Sequence, residues 1–311
     1  MEPVVIKADK KIYGTKYVEP YKFKSGHEVP TYEILNCHGL NQMIGYVKLI
    51  NKMYGKVFYR GQCNLHDTML PSLYHKSCSA RYKSERNKKL NSIINRTLAD
   101  EDFMKEVNLR NDLDEASIII EGMLQHYGIA TRSIDTVDNH WIALWFGLNK
   151  YHSERIGNNF YSSYTNRIKN VYQMCENEGK TDDKESCYQY VIWIASDKGK
   201  EAFGVMFGND ILTVDLRVAL PSTFLRPHAQ HGIIFKKRLH DCSCDFNISK
   251  SVVGILKIRN DLANSWLGDG ELEEFSNLFP LQFHDHAYRI LLQREDLFGD
   301  STNSIVQYIY E

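Results

Sequence analysis

Strand-length apolar runs and segments of helical periodicity follow one another irregularly along this chain. Runs rich in β-branched and aromatic residues fall at Lys56–Arg60, Tyr190–Ala195, Ile211–Leu216 and Gly232–Phe235. Apolar residues recur at helical spacing within residues 40–54, at Leu40, Ile44, Val47, Ile50 and Met53. The chain lacks the strict strand–helix alternation that is typical of a doubly wound parallel sheet. The sequence therefore predicts an α+β fold, in which a mixed or antiparallel sheet is flanked by helices.

Three segments are expected from the changes of composition along the chain. Residues 1–39 mix short β-like pieces with glycine, proline and charge, and we interpret them as an N-terminal extension. Residues 40–250 would form the core, with a polar insertion at 149–188 that is partly helical around Ile168–Cys175. Residues 251–311 begin with a strand and continue as helices, so we expect a C-terminal helical segment that packs on the core.

Composition restricts the class of protein. With 43% hydrophobic residues among 311, the chain has enough apolar side chain for a core, which excludes disorder over most of its length. A net charge of −1 argues against binding by bulk positive charge, although it leaves room for a local basic groove. No apolar run approaches the roughly 20 residues that span a bilayer, and the first residues lack a signal peptide's apolar stretch. We expect a soluble, cytoplasmic protein that does not bind membranes.

The cysteines indicate reduced thiols and no structural metal. There are seven of them, an odd number at scattered spacings, and no C-x-x-C pair occurs. Cys242 and Cys244 lie near His240, but the second pair of ligands that a zinc site normally shows is missing. We therefore predict no metal site.

A probable helix over residues 79–98 carries a local excess of basic side chains. The residues that could contact nucleic acid there are Arg81, Lys83, Arg86, Lys88 and Lys89. A solvated helical face accounts for the same pattern without any partner. Both interpretations stay open at this point.

Polar residues also occupy places where a core would put apolar ones. Arg60 stands at the end of a predicted strand beside Gly61, a position suited to a forked contact with phosphate. A structural arginine paired with a carboxylate is an equally good interpretation. Polar and ionisable side chains crowd into Gln125–Thr136, between two apolar helices, and a third polar segment at Leu225–Gly232 precedes an apolar strand. Charges in such surroundings must be paired, hydrogen-bonded or functional, so a pocket wall is expected.

Together these segments resemble the FRG domain family. The motifs appear in the family's order, as YRGQ with LPSL at Tyr59–Leu73, QHYGxxTRxxD at Gln125–Asp135, ALWF at Ala143–Phe146, AQHGIIF at Ala229–Phe235 and LFP at Leu278–Pro280. The resemblance thus covers about residues 40–285. The chain departs from the family in having Ser133-Ile134 before the aspartate and in the residues around Val137.

A second, weaker resemblance is to ADP-ribosyltransferases. In those enzymes an early strand carries an arginine or histidine that holds the phosphates of NAD, and Arg60 matches this element. Asp135-Thr136 with Ala143 and Phe146 approximates the second element, and Gln230 falls where the third would be. The usual catalytic glutamate motif is missing. The resemblance implies an ADP-ribosyltransferase-like fold with NAD as a substrate.

From this resemblance we expect catalytic roles for Arg60, His126, Tyr127, Asp135 and Gln230. The residues expected to bind NAD are Arg60, Gly61, Gln62, Gln125, Thr131, Arg132 and Thr136. Arg60 and Arg132 would hold phosphate oxygens, and His126 and Tyr127 would contact the nicotinamide. Asp135 would face the developing cation or take the acceptor's proton. No Rossmann glycine motif or P-loop offers a different phosphate site.

The leading hypothesis is an ADP-ribosyltransferase-like toxin or phage-defence effector. Its acceptor would be RNA or single-stranded nucleic acid in preference to protein, and a neutralising antitoxin is implied by the resemblance. Two other classes remain open. One is a non-catalytic module that binds a nucleotide or phosphate, and the other is a metal-independent nuclease in which His126 or His231 acts as general acid or base.

Overall fold

The structure is a computed structural model that describes residues 2–75, 79–109, 115–156, 159–168, 187–238, 245–298 and 305–309. The strands are β1 (Thr15–Lys22), β2 (Glu28–Ile34), β3 (Gly55–Gln62), β4 (Ser133–Val137), β5 (Asn149–Ile156), β6 (Asn159–Asn166), β7 (Tyr188–Asp197), β8 (Lys200–Ala202), β9 (Val205–Phe207), β10 (Ile211–Asp215), β11 (Gly232–Lys237), β12 (Val252–Arg259) and β13 (Val306–Tyr308). The helices are α1 (Cys37–Asn51), α2 (Ala80–Ala99), α3 (Glu101–Glu106), α4 (Ala116–His126), α5 (His140–Leu148), α6 (Leu216–Ala219), α7 (Leu225–Ala229), α8 (Asn260–Trp266), α9 (Phe275–Leu278), α10 (His286–Gln293) and α11 (Glu295–Phe298).

Ten strands form one mixed sheet in the order β1-β2-β12-β7-β3-β4-β11-β10-β9-β8. The β12–β2 pair is parallel and the other pairs that join neighbouring strands are antiparallel. Helices flank the sheet, and buried apolar side chains form clusters against it. The predicted α+β fold with a mixed sheet is confirmed.

The sheet opens between β3 and β4. Strand β3 pairs with β7 along its whole length, from Gly55 to Gln62. It pairs with β4 only at Tyr59 and Val137. The two halves of the sheet are therefore joined at one residue pair, and they diverge beyond it, where the rest of β4 does not pair with β3. This divergence creates room for a ligand at the centre of the fold.

Both ends of the chain contribute to this sheet. β1 and β2 form one edge of it, and β12 lies between β2 and β7. The segments expected to be an N-terminal extension and a C-terminal helical segment thus supply hydrogen-bonded strands to the same sheet as residues 40–250. The predicted boundary at residue 39 falls within α1, and the one at residue 251 directly precedes β12.

Helix α1 shows how local signals set the ends of an element. Asn36 caps it by accepting a hydrogen bond from the backbone N–H of Gly39 at 2.8 Å, so the helix begins earlier than residue 40. Leu40, Ile44 and Val47 are buried as the spacing predicted. The helix ends at Asn51, and Met53, predicted on the same face, is 70% exposed.

The segment predicted to be a polar insertion begins with regular structure. β5 and β6 pair as a hairpin, and β13 joins β6 in parallel to complete a three-stranded sheet. Tyrosines and serines recur along both strands, and Tyr164 packs its ring 5.2 Å from Trp145 and 5.1 Å from Phe279. Aromatic contacts thus attach this polar hairpin to the core. Most of the helix expected around Ile168–Cys175 lies outside the described residues.

No helix among the residues that the structure describes is both long enough and apolar enough to cross a bilayer.

Candidate functional site

A cavity of about 670 Å³ lies where β3 and β4 diverge. Eight residues predicted from the sequence line it, namely Arg60, Gly61, Gln62, Gln125, His126, Asp135, Thr136 and Gln230. They come from β3, the end of α4, β4 and the turn between α7 and β11. The order of the strands in the sheet brings these distant segments of sequence together.

Arg60 enters the cavity with most of its donors unused. Its Nη1 donates to the backbone oxygen of Asp135 at 2.5 Å, and this is the single hydrogen bond of its guanidinium to the described residues. Burial lowers the pKa of Arg60, and the charge of Asp135 opposes that shift. A guanidinium carries five N–H donors and does not lose its proton under ordinary conditions. The remaining donors of Arg60 are thus available for an acceptor group on a ligand.

Asp135 has one oxygen bonded and one without a partner. Its Oδ2 accepts from Nε2 of Gln125 at 2.8 Å, whereas its buried Oδ1 has no hydrogen-bond partner among the described residues. Nδ1 of His126 stands 3.8 Å from Oδ1, too far for a hydrogen bond. Burial alone would raise the pKa of Asp135, but His126, Gln125 and Arg60 together hold it below its ordinary value. Asp135 is therefore a carboxylate at neutral pH.

Gln125 is held in one orientation by two hydroxyls. Thr131 Oγ1 donates to its Oε1 at 2.7 Å, and Ser72 Oγ donates to the same oxygen at 3.3 Å. The amide nitrogen must then point the other way, toward Asp135. Gln125 thus holds the carboxylate of Asp135 by a hydrogen bond, and Thr131 in turn fixes the amide of Gln125. Thr131 is fully buried and does not line the cavity, so we leave it out of the predicted ligand contacts.

His126 is a neutral group beside Asp135. It is 4% exposed, and its ring packs so closely on Gly232 that a Cβ at that position would lie 2.9 Å from Cε1. Burial lowers the pKa of His126 below 6.5, while Asp135 opposes the shift. The imidazole is consequently uncharged at neutral pH, with Nδ1 directed at Asp135.

Arg132 lies outside the cavity and is fully engaged elsewhere. Its Nε and Nη2 donate to the two oxygens of Glu121 at 3.1 and 2.6 Å, and Lys236 donates to the same carboxylate at 2.7 Å. Burial of Glu121 opposes ionisation, but the two cations outweigh it and lower the pKa of Glu121 to about 2. The sequence could not distinguish a phosphate contact from a pairing with Glu121. We therefore leave Arg132 out of the phosphate-binding set.

Tyr127, Thr136 and Gln230 have their side-chain donors occupied by protein. Tyr127 is buried away from the cavity and donates to Oδ2 of Asp285 at 2.8 Å. Thr136 donates to the backbone oxygen of Ile233, and Gln230 to that of Leu278, each at 2.9 Å. Thr136 and Gln230 shape the cavity wall, whereas Tyr127 is part of the scaffold behind it.

Gly61 and Gln62 continue β3 along the cavity, although the strand was predicted to stop at Gly61. A Cβ on Gly61 would lie 1.7 Å from the backbone oxygen of Ala143, so the glycine allows α5 to pack against β3. This packing, and not a close approach to phosphate, explains the glycine. Oε1 of Gln62 is buried without a hydrogen-bond partner.

Three tyrosines and an arginine are among the residues of the cavity wall that were not predicted as site residues from the sequence. Tyr151 and Tyr164 come from the β5–β6 hairpin, Tyr308 comes from β13, and Arg226 comes from α7. Arg226 stood in a polar segment that the sequence did single out. Tyr151 and Tyr164 carried no comparable signal, because their hairpin was interpreted as an insertion outside the core, and Tyr308 lies in the predicted C-terminal segment.

The basic residues of α2 lie apart from the cavity lining. Arg81 is exposed and pairs with Glu85 at 3.0 Å. Arg86 donates to the backbone oxygen of Leu73 at 2.5 Å and stacks over Tyr82. Lys88 and Lys89 are exposed, and Lys83 is half-buried. The helix could carry a partner on its surface, but its basic side chains do not enter the site.

A second cavity of about 660 Å³ lies on the opposite side of the β3–β4 pair. Its wall includes Asp138 and Asp215, both of which bond to Arg217. His231 also places Nδ1 2.9 Å from Oδ1 of Asp138. Among the residues that the structure describes, no cluster of three histidine, cysteine or acidic side chains could hold a metal ion. Cys242, Cys244 and His240 lie outside them.

Residues 55–155 match the family model of the FRG domain. The match confirms the FRG resemblance over the segment that carries Arg60, Gln125, His126 and Asp135. Arg226, Gln230, Tyr164 and Tyr308, which also line the cavity, lie beyond it. No curated protein and no solved structure matches the chain.

Proposed function

We propose that the first cavity binds NAD and that the protein transfers ADP-ribose from it to a macromolecular acceptor. One observation carries the proposal, namely that the unused donors of Arg60 and the unpaired oxygen of ionised Asp135 belong to the same cavity. Arg60 and Asp135 are both half-buried, and a half-buried cation and carboxylate with incomplete sets of partners are suited to take up the charged groups of a ligand. NAD offers both an anionic diphosphate and a ribose that becomes cationic as its glycosidic bond breaks.

The cavity has the size and the lining that a dinucleotide needs. Its volume of about 670 Å³ falls within the range of roughly 300–1,000 Å³ usual for ligand sites. Phe146, Tyr151 and Tyr164 provide aromatic faces along one wall, on which a nicotinamide or adenine ring can stack. Arg60 would bind a phosphate oxygen through its forked donors.

Asp135 would supply the electrostatic part of the reaction. The bond between ribose C1′ and the nicotinamide nitrogen breaks, and its electron pair stays on nicotinamide. A bond then forms between C1′ and an oxygen or nitrogen nucleophile of the acceptor, whose proton passes to Asp135 and from there to solvent. An ionised carboxylate beside C1′ stabilises the cationic transition state. Gln125, fixed by Thr131 and Ser72, keeps that carboxylate in place.

The acceptor in this proposal is RNA or single-stranded nucleic acid. The exposed basic side chains of α2, namely Arg81, Lys88 and Lys89, would attract its backbone. A toxin or phage-defence role, with an antitoxin as partner, follows from the family resemblance and is part of the same proposal.

The experiment is the transfer of label from adenine-labelled NAD to cell extract, followed by digestion with RNase, DNase or protease. We expect wild type to label a macromolecule that RNase removes, and Arg60→Gln to lose the label. Arg217→Lys is the matched control, since this arginine lies outside the first cavity and should leave labelling intact. Intact NAD in an extract that contains the natural target would contradict transfer. Binding of NAD without turnover would then indicate a nucleotide-binding module, and shortened RNA without NAD a nuclease.

A further inference from the structure

Arg226 is a second buried arginine in the wall of the same cavity. It is 7% exposed, and its Nη1 and Nη2 donate to the hydroxyls of Tyr288 and Tyr308 at 3.1 and 2.8 Å. The rings of Tyr127, Phe279 and Tyr308 surround the guanidinium, with centroids 4.8–5.5 Å from Cζ. Nε has no hydrogen-bond partner within the part of the chain that the structure describes.

No carboxylate among the described residues forms a salt bridge with this guanidinium. Asp285 is the acid nearest in the fold, but it accepts the backbone N–H groups of Leu225 and Arg226 and the hydroxyl of Tyr127. The aromatic cage orients the arginine and favours its cationic form without neutralising it.

The charges that line the cavity therefore do not balance. Among the described residues, Arg60 and Arg226 are its two arginines and Asp135 is its one acidic residue. His126 is uncharged at neutral pH because burial lowers its pKa. A buried site with excess positive charge is completed by an anion.

Tyr164 connects the two arginines. Burial raises the pKa of its hydroxyl, and the charges of both Arg226 and Arg60 oppose that shift. Tyr164 lines the same cavity as both guanidinium groups. An anion bound in this cavity can therefore interact with both arginines.

We propose that Arg226 is a second anion-binding group and that the ligand of this cavity is a nucleotide with a diphosphate, each arginine contacting one end of that diphosphate. The inference rests on the nucleotide site of the proposed function but not on ADP-ribosyl transfer. A nucleoside monophosphate satisfies one arginine and leaves the other unpaired. ADP and ADP-ribose satisfy both.

The first test is calorimetric titration of the wild-type chain with ADP, AMP and adenosine. A charge-assisted hydrogen bond contributes about 1.5–3 kcal/mol, so we expect ADP to bind about 10- to 100-fold more tightly than AMP. AMP in turn should bind more tightly than adenosine. Equal affinities for ADP and AMP would overturn the inference without the need for any variant.

The second test compares Arg226→Lys with Arg217→Lys. Lysine keeps the charge and can still donate to the tyrosine hydroxyls, but it lacks the fork. We expect Arg226→Lys to weaken ADP binding about tenfold or more and to leave AMP binding nearly unchanged, since one bidentate pair is lost. Arg217→Lys should bind both nucleotides as wild type does. An Arg226→Lys protein that binds ADP as wild type does would also overturn the inference.

The outcomes separate this inference from the proposed function. A preference for ADP that depends on Arg226, in a protein that leaves NAD intact, supports the diphosphate site and rejects transfer. NAD turnover with no preference for ADP over AMP rejects the diphosphate site and retains transfer.

Discussion

Two aspartates three positions apart, at the end of one strand, have opposite surroundings. Asp138, just after β4, has both oxygens bonded by Arg217, at 3.2 and 2.6 Å, and one of them also by His231. Asp135, within β4, has one oxygen bonded by Gln125 and one without a partner. The side chains lie in the walls of the two cavities that flank the β3–β4 pair. The carboxylate of Asp138 fastens elements together, while Asp135, which has fewer partners, keeps 45% of its side chain exposed in the wall of the first cavity.

The arginines beside them differ in the same way. Arg217 donates to Asp215 and Asp138, and these hydrogen bonds raise its pKa well above the ordinary value despite partial burial. Arg60 has one hydrogen bond, to a backbone oxygen, and burial lowers its pKa. Because a buried charge must be paired, the cavity with unpaired charges is the better candidate for ligand binding.

The largest expected effect is on turnover. Asp135→Asn keeps the size of the side chain and removes the charge that faces the ribose, so we expect NAD turnover to fall about 10²- to 10⁴-fold, the usual range for a lost acid–base group. Asp138→Asn should stay close to wild type, since its side chain belongs to the other cavity. NAD consumption checks both variants. Equal losses of NAD turnover in the two variants would contradict the assignment of Asp135, and not Asp138, to the reaction.

The free energy of unfolding should depend on Glu121, which lies outside the first cavity, far more than on Arg60, which lines it. Glu121→Gln leaves Arg132 and Lys236 without their shared carboxylate, and breaking such a buried pair costs about 3–5 kcal/mol. Arg60→Gln removes a buried cation with a single protein partner, so its free energy of unfolding should change far less. Urea denaturation of both variants measures the difference. A larger loss in Arg60→Gln would show that Arg60 is structural.

The ion pairs of Glu121 with Lys236 and Arg132 also predict how the free energy of unfolding depends on pH. The pKa of Glu121 is lowered from 4.5 to about 2, because Lys236 and Arg132 outweigh the effect of burial. A carboxylate with a lowered folded-state pKa stabilises the protein above its unfolded-state value, and this stability is lost as pH falls toward the folded-state value. The difference in unfolding free energy between wild type and Glu121→Gln should thus shrink between pH 4.5 and about 2. A difference that is constant over this window would contradict the assignment.

The smallest effect concerns Gln125. In Gln125→Glu a second carboxylate would face Asp135, and like charges raise the pKa of a carboxyl group. We expect turnover to stay close to wild type at neutral pH, where Asp135 remains ionised, and to fall about tenfold on the acid limb, which corresponds to a change of one pKa unit. The acid limb of the pH–rate profile should move to higher pH. Thr131→Ser keeps the hydroxyl that orients Gln125 and serves as the control. An unchanged pH–rate profile in Gln125→Glu would contradict the role of Gln125 in positioning Asp135.

The sequence predicted several elements well because their signals are local. The apolar face of α1, the helices α2, α4 and α5, and the strands β7, β10 and β11 lie at or near the predicted positions. The FRG motifs also identified Arg60, His126 and Asp135 together, and all three line one cavity. Local periodicity and motif order are sufficient for such predictions, because they do not depend on what a side chain meets in the folded chain.

Tertiary structure alone decided which polar residues were already satisfied. Arg60 and Arg132 both stood in family motifs, yet Glu121 pairs with Arg132 and no carboxylate side chain forms an ion pair with Arg60 among the described residues. Tyr164, Arg226 and Tyr308 joined the site from a supposed insertion, a short helix and the last strand. Partners in space come from strand order and helix packing, which link residues far apart in the chain. The sequence therefore determined which chemical groups the protein has, and the fold determined which of them are left for a ligand.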